Sequence, residues 1–354
     1  MRAGYSCRCA CSQWKPLLDA QSFSFQPSFQ VANFPTGCPA ASKGDAGLAV
    51  GDFNADGVPD VAIVCNAQQQ ISMLLGKRDG TFRAPVMTFV NDVPVRLINN
   101  GIGIEEGVIF PIDVNGDGKT DLVYSSSGPT IILQQSVTTS VASGTVTVLL
   151  SQGDGTFAPP NTVATNLAYL IWGAADLDGD GVSDLVLTSL FQTGFAVMLG
   201  KRDGTFSTPI VYSMPAGQDP TATVVAMADF NRGGKPDIIT KGNFFVVSSW
   251  KNQGNGSFSP PVTVASAVDT LAQALVGDFD GDGKLDLGLN GFFTGFYVLP
   301  GKGDGTFQSP KFPQNIRPNR LVALDVNGDG RLDLAQQQGS GVAGSQTLYI
   351  AVHQ

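Results

Sequence analysis

Apolar residues in this chain fall in short runs of strand length, parted by stretches rich in glycine and aspartate. One round of the pattern starts at Leu48-Ala49-Val50, crosses the polar stretch Asp52–Asp60 and resumes at Val61-Ala62-Ile63-Val64. A third run, Ile71–Leu75, ends at a glycine-rich turn, and a fourth opens on Phe82 and carries Pro85. Third runs recur at Val146–Leu150, Phe195–Leu199, Phe244–Val247 and Phe296–Leu299. Continuous apolar runs suit strands buried on both faces, and proline suits an edge strand. The predicted unit is therefore four β-strands.

Two strings mark each unit. The first, Asp-x-Asn/Asp-x-Asp-Gly-x-x-Asp, stands at Asp52–Asp60, Asp113–Asp121, Asp176–Asp184, Asp278–Asp286 and Asp325–Asp333, with a degraded copy at Asp229–Asp237. Successive starts are 61, 63, 53, 49 and 47 residues apart. The second reads GKRDGTF at Gly76–Phe82, QGDGTF at Gln152–Phe157, GKRDGTF at Gly200–Phe206, QGNGSF at Gln253–Phe258 and GKGDGTF at Gly301–Phe307. Four-stranded units of this length, repeated in fixed phase, predict an all-β propeller with radial blades.

The repeat count gives six blades. A seventh stays open if residues 91–107 or 128–145 hide a degenerate one, although Gly128–Thr145 reads better as a hairpin extending blade two. The sixth unit stops after its third strand, Leu348–Val352, and Phe23-Ser24-Phe25-Gln26-Pro27 resembles a detached fourth strand. Pairing the two would close the ring with an N-terminal strand and leave no open sheet edge. Residues 1–22 are then a disordered leader or a misplaced start, and 23–354 the propeller.

The aspartate loops have the chemistry of a hard-cation site. Calcium takes several oxygen ligands at about 2.3–2.6 Å. Side chains at loop positions 1, 3, 5 and 9 and the carbonyl at position 7 supply them. The predicted sets are Asp52, Asn54, Asp56, Val58 and Asp60; Asp113, Asn115, Asp117, Lys119 and Asp121; Asp176, Asp178, Asp180, Val182 and Asp184; Asp278, Asp280, Asp282, Lys284 and Asp286; and Asp325, Asn327, Asp329, Arg331 and Asp333. Glycine at position 6 permits the positive φ of so tight a curl. Unlike an EF-hand, the loop ends in Asp at position 9 and is flanked by strands. Loop 4 has Gly233 at position 5, with Arg232 and Lys235 beside it, and is expected to bind no ion. About five Ca²⁺ are expected. The aspartates of the second string read as turn-formers, and its phenylalanine as a core anchor.

Composition agrees. The chain has 28 Asp and 2 Glu, a bias toward turns and metal loops over helices. The loops hold 19 of the 30 acidic residues, a crowding that cations would relieve. A net charge of −9 without a basic stripe argues against nucleic acid. No apolar run is long enough for a membrane helix, so no membrane insertion is expected, and no secretory signal is visible. The five cysteines, Cys7, Cys9, Cys11, Cys38 and Cys65, are odd in number. The Cys7–Cys11 run could hold a metal or a redox disulfide, but reads as spare thiols in a leader.

The strings GDFNADGVPDVAIV and LLGKRDGTF, repeated, resemble FG-GAP/VCBS repeats like those of the integrin α-subunit propeller, over residues 23–354. That resemblance implies Ca²⁺ in the blade loops, a location outside the cell or on its surface, and adhesion to a glycan or extracellular protein. It transfers no ligand-binding residue. Catalysis finds little support. The one histidine is His353, read as a frayed terminal residue. No P-loop, GxSxG or HExxH is present, and Glu105-Glu106 reads as solvated loop charge. The leading reading is thus a non-enzymatic adhesive or lectin-like module. The alternatives are a calcium-dependent polysaccharide lyase and a structural ring of a larger assembly. Trp172 and Trp250 are the aromatic candidates for a sugar face, with core packing the plainer role.

Overall fold

The computed structural model describes residues 14–16, 47–65, 69–90, 95–98, 103–106, 109–127, 144–167, 169–189, 194–215, 222–242, 246–265, 271–291, 295–312, 321–324, 332–339 and 346–353. The predicted closing strand Phe23–Pro27, the bulk of the 128–145 insertion and loop 6 up to Arg331 lie outside these residues.

Every regular element described is a strand. The first, β1 (Trp14–Pro16), stands apart from the blade that follows it. Blade one is β2 (Leu48–Gly51), β3 (Asp60–Cys65), β4 (Gln70–Leu74) and β5 (Val86–Phe89), paired in that order. A separate hairpin, β6 (Val95–Ile98) and β7 (Gly103–Glu106), follows. Blade two is β8 (Phe110–Ile112), β9 (Asp121–Ser127), β10 (Gly144–Leu149) and β11 (Asn161–Leu167). Blade three contains β12 (Tyr169–Ala175), β13 (Asp184–Ser189), β14 (Gly194–Met198) and, after the small turn ladder of β15 (Gly200–Lys201) with β16 (Thr205–Phe206), the outer β17 (Ile210–Ser213). Blade four is β18 (Thr223–Ala228), β19 (Asp237–Lys241), β20 (Val247–Trp250) and β21 (Val262–Ala265). Blade five has β22 (Leu271–Gly277), β23 (Asp286–Gly291) and β24 (Gly295–Leu299), its outer strand reduced to a bridge between Val298 and Lys311. The last sheet runs β25 (Leu321–Leu324), β26 (Asp333–Gly339) and β27 (Gln346–His353), with β1 as its outermost strand.

Six blades are present among the described residues. Within 91–107 the described residues form the β6–β7 hairpin and not a further blade, with β6 against β9 and β12. In that hairpin Glu105 and Glu106 pair with Arg96 and Val95, so they are strand residues and not loop charges. An N-terminal strand does complete the last sheet, pairing Trp14 with His353 and Pro16 with Ala351. It comes from residues 14–16, inside the stretch expected to be a leader. His353 is likewise a strand residue, paired with Trp14, and not a frayed end.

The core lies between blades. Side chains on a strand alternate between its two faces, and each middle strand feeds two neighbouring interfaces. On β13, Leu185 and Leu187 pack toward blade two, whereas Val186 packs toward blade four. On β24, Tyr297 and Leu299 join the layer with blade four, and Phe296 and Val298 the layer with blade six. This is why the middle strands of blades three to five are buried at every position. The outer strands keep apolar residues in solvent, with Phe89 71% exposed.

Candidate metal centre

Each aspartate loop joins the inner strand of a blade to its second strand, so the loops gather at one end of the blades. The loop curls around its first aspartate. Asp176 Oδ1 accepts from the Gly179 amide at 2.6 Å and Oδ2 from the Gly181 amide at 3.0 Å. Asp52, Asp113 and Asp278 accept from the position-6 glycine amide in the same way, at 2.8–2.9 Å. The position-5 carboxylates cap the position-7 amides: Asp56 to Val58 at 2.9 Å, Asp117 to Lys119 at 2.9 Å, Asp180 to Val182 at 2.8 Å and Asp282 to Lys284 at 2.9 Å. At position 3, Asn54, Asn115 and Asp178 accept from the position-5 amide.

Position 9 does something the sequence alone did not reveal. Asp60, Asp121, Asp184 and Asp286 are at most 1% exposed. One oxygen of each accepts from the amide at loop position 2, as in Asp286 with Phe279 at 2.8 Å. The other accepts, at 2.7 Å, from the amide at the start of the turn that follows the third strand: Gly76, Gly200 or Gly301, which open the second string, or Ser151, just before it. One carboxylate thus clips the loop to the turn after the third strand. The clip explains the turn glycine, since a Cβ on Gly301 would lie 2.0 Å from the Leu285 carbonyl oxygen. Burial pushes Asp121, Asp184 and Asp286 up to about 6, overcoming the two amide donors, and the nearby loop aspartates add to the rise. Asp60 and Asp237 are raised for the same first reason.

Two loops bring three carboxylates within 4.8 Å of one another: Asp176, Asp178 and Asp184 in loop 3, and Asp278, Asp280 and Asp282 in loop 5. Both have Asp at position 3. Loops 1 and 2 have Asn54 and Asn115 there and form no such group among the described residues. In loop 5, Asp280 Oδ2 pairs with Lys311 at 3.1 Å, while its Oδ1 is buried without a hydrogen-bond partner. A buried carboxylate oxygen without a donor is costly, and a cation held by Asp278, Asp280 and Asp282 would satisfy it. The donor set of loop 5 therefore fits a hard cation. Loop 4 is built differently. With Gly233 at position 5, Asn231 turns inward and its Nδ2 donates to Asp237 Oδ1 at 2.7 Å. Of loop 6, Asp325, Asn327, Asp329 and Arg331 lie outside the described residues, and Asp333 is placed only as the first residue of β26.

The second string behaves as a turn. Asp79, Asp154, Asp203 and Asp304 each accept from a threonine hydroxyl and amide two residues on, at 2.5–3.0 Å. The hydroxyl bond holds each carboxyl below its usual range. Trp250 is 3% exposed, its Nε1 donates to Thr240 Oγ1 at 2.9 Å, and its ring meets Phe195 at 5.1 Å. It is a core residue. Trp172 is the bulged residue between Ile171 and Gly173 and packs on the same cluster.

Sheet order, inter-blade core and loop positions together define a β-propeller with aspartate loops at the inner turns of its blades. The FG-GAP-like repeat profile matches residues 52–124, 113–187 and 176–240, so the chain belongs to the FG-GAP repeat family. Among solved structures it is similar to an Agrocybe aegerita lectin that recognises non-reducing terminal N-acetylglucosamine, at 20% identity and a TM-score of 0.59, covering 86% of this chain and 80% of the lectin. It is more distantly similar to a Penicillium chrysogenum α-L-arabinanase, at 12% identity and a TM-score of 0.45, covering 86% and 92%. The Pseudomonas aeruginosa periplasmic gluconolactonase matches at 14% identity and a TM-score of 0.41, covering 86% and 96%. A comparison with curated protein sequences gives no match.

Proposed function

We propose that this propeller is a calcium-stabilised binding module that displays a rigid ring to a glycan or an extracellular protein. The observation that carries the reading is loop 5, where three carboxylates converge and the buried Asp280 Oδ1 has no donor. Loop 3 is the second site, with Asp176, Asp178 and Asp184 as ligands. Loops 1 and 2, with two carboxylates and an asparagine at positions 1, 3 and 5, are weaker sites of the same design, and loop 4 binds no ion. Bound calcium would neutralise the crowded carboxylates and fix each inner turn. It would perform no reaction.

The glycan half of the proposal draws on the lectin of the same fold. An extracellular setting is supported by Cys65, which is disulfide-bonded, since such bonds persist in oxidising compartments. The preference for binding over catalysis rests on the sequence, which has one histidine and no nucleophile motif.

The test is thermal unfolding in millimolar Ca²⁺ and after chelation, followed by a glycan array in both conditions. A higher melting temperature with Ca²⁺ than with Mg²⁺, and array binding that survives washing, are the expected results. Identical melts refute the calcium reading. Unsaturated ends released from pectin or alginate would replace the binding reading with a lyase.

A further inference from the structure

Loop 4 differs from its neighbours at a residue that redirects a charge. In loops 2 and 5 the lysine at position 7 folds back onto the position-5 aspartate, Lys119 on Asp117 at 2.9 Å and Lys284 on Asp282 at 2.5 Å. Lys235 holds the same position, but Gly233 offers it no carboxylate. Its ammonium turns outward and donates to the carbonyls of Asp178, in loop 3, and Gly254, in the turn of its own blade. Arg232, held at φ 58°, reaches the other way and donates through Nη2 to the Gly283 carbonyl of loop 5. Its charge also helps hold the Asp282 carboxyl down, after the Lys284 bond and the Lys284 charge. Loop 4, unsuited to an ion, therefore sends a cation into each adjacent loop. Those two loops are the ones that gather three carboxylates.

We propose that loop 4 is a fixed-charge clamp: Lys235 and Arg232 tie loops 3 and 5 to blade four and, by their charge, lower the calcium affinity of both. The affinity half rests on the calcium reading above. The physics has two opposed parts. The bonds to Asp178, Gly254 and Gly283 carbonyls fasten neighbouring blades, which stabilises the ring with or without calcium. A positive charge beside a dication site raises the energy of the bound state, which weakens calcium. Other cations face the same loops: Arg202 donates to the Asp180 carbonyl at 2.5 Å, Lys284 meets Asp282, and Lys311 meets Asp280. They remain in the variants below and serve as a constant background.

The experiment uses the full chain as wild type, Lys235→Met, Arg232→Met and the double variant. Calcium titration calorimetry and melting in chelator are recorded for each. The double variant is expected to melt lower in chelator, yet to bind calcium at two sites about threefold to tenfold more tightly. Raising salt should shrink that gain by screening. Lys235→Arg, which keeps the charge, should keep wild-type affinity. Calcium affinity that is unchanged or weaker in the double variant overturns the proposal, because loss of packing alone would weaken both properties together. No calcium heat in any form, wild type included, overturns the calcium reading and the affinity half with it. An unchanged melt in chelator overturns the clamp.

Discussion

The rings of Phe53 and Phe157 meet edge to face, with centroids 6.1 Å apart and planes at 79°. Phe53 is position 2 of the blade-one loop, and Phe157 closes the second string of blade two. Phe230 and Phe307 repeat the pair between blades four and five at 5.3 Å. The two strings are thus partners across a blade boundary as well as within a blade. Polar groups follow the same path: Ser151 Oγ donates to the Phe53 carbonyl at 2.5 Å, and Asn252 Nδ2 to the Leu177 carbonyl at 2.9 Å.

Truncating this contact should loosen a whole interface. Phe157→Ala is expected to cost about 3–5 kcal/mol, the range for buried aromatics cut to alanine. Phe82, the matching residue of blade one, is only half-buried, so Phe82→Ala should cost distinctly less. Chemical denaturation of both variants at constant m-value checks the order.

Positions 3 and 9 of a loop should separate in their response to calcium. Asp280→Asn should leave the melting temperature in chelator near wild type and remove much of the gain on adding Ca²⁺. Asp286→Ala should lower the melt in both conditions, because it strands the buried amides of Phe279 and Gly301, each worth about 1–3 kcal/mol. Paired melts of the two variants decide it.

Acid should stabilise the calcium-free protein over part of the range. Asp121, Asp184 and Asp286 are raised to about 6, above the value of about 3.9 in an unfolded chain. Their folded forms bind protons more tightly, so the stability they contribute is full below about pH 4 and is lost as pH rises through 6. The melting temperature in chelator should fall between pH 4.5 and 7. Saturating Ca²⁺, by favouring the ionised loops, should flatten or reverse that fall. Calorimetric melts across the range, with and without calcium, test the sign.

Reducing the Cys65 disulfide should lower stability by about 2–5 kcal/mol, as for native bridges in secreted domains. Peptide mapping without reductant should recover Cys65 joined to another cysteine. A free Cys65 thiol in protein exported to an oxidising compartment would contradict the structure.

Much of the ring was legible in the sequence because each blade repeats one set of local rules. The middle strands carry continuous apolar runs since both faces are interfaces, and Val61–Val64 or Leu185–Leu187 could be placed without tertiary information. The clip made by Asp60, Asp121, Asp184 and Asp286 was not legible. A carboxylate that also binds amides 7 and 15 to 30 residues away looks, in sequence, like any other loop ligand. Nor were the roles of Lys235 and Arg232, whose partners sit in neighbouring loops. The available signal was a position-7 lysine with no position-5 aspartate to hold it. The likeness of Phe23–Pro27 to Phe307–Pro310 points to a closing strand in a segment outside the described residues, whereas Trp14-Lys15-Pro16, which pairs with β27, has too few residues to show any pattern.

The last sheet joins β1 to β27, and this sets an order on the making of the protein. Trp14 leaves the ribosome long before His353, its partner. Blades one to five can pack against one another as they emerge, each pairing strands close in sequence, while the last sheet must wait for β27 to reach the distant β1. Until then β27's partner is a free edge, open to another copy or to a chaperone.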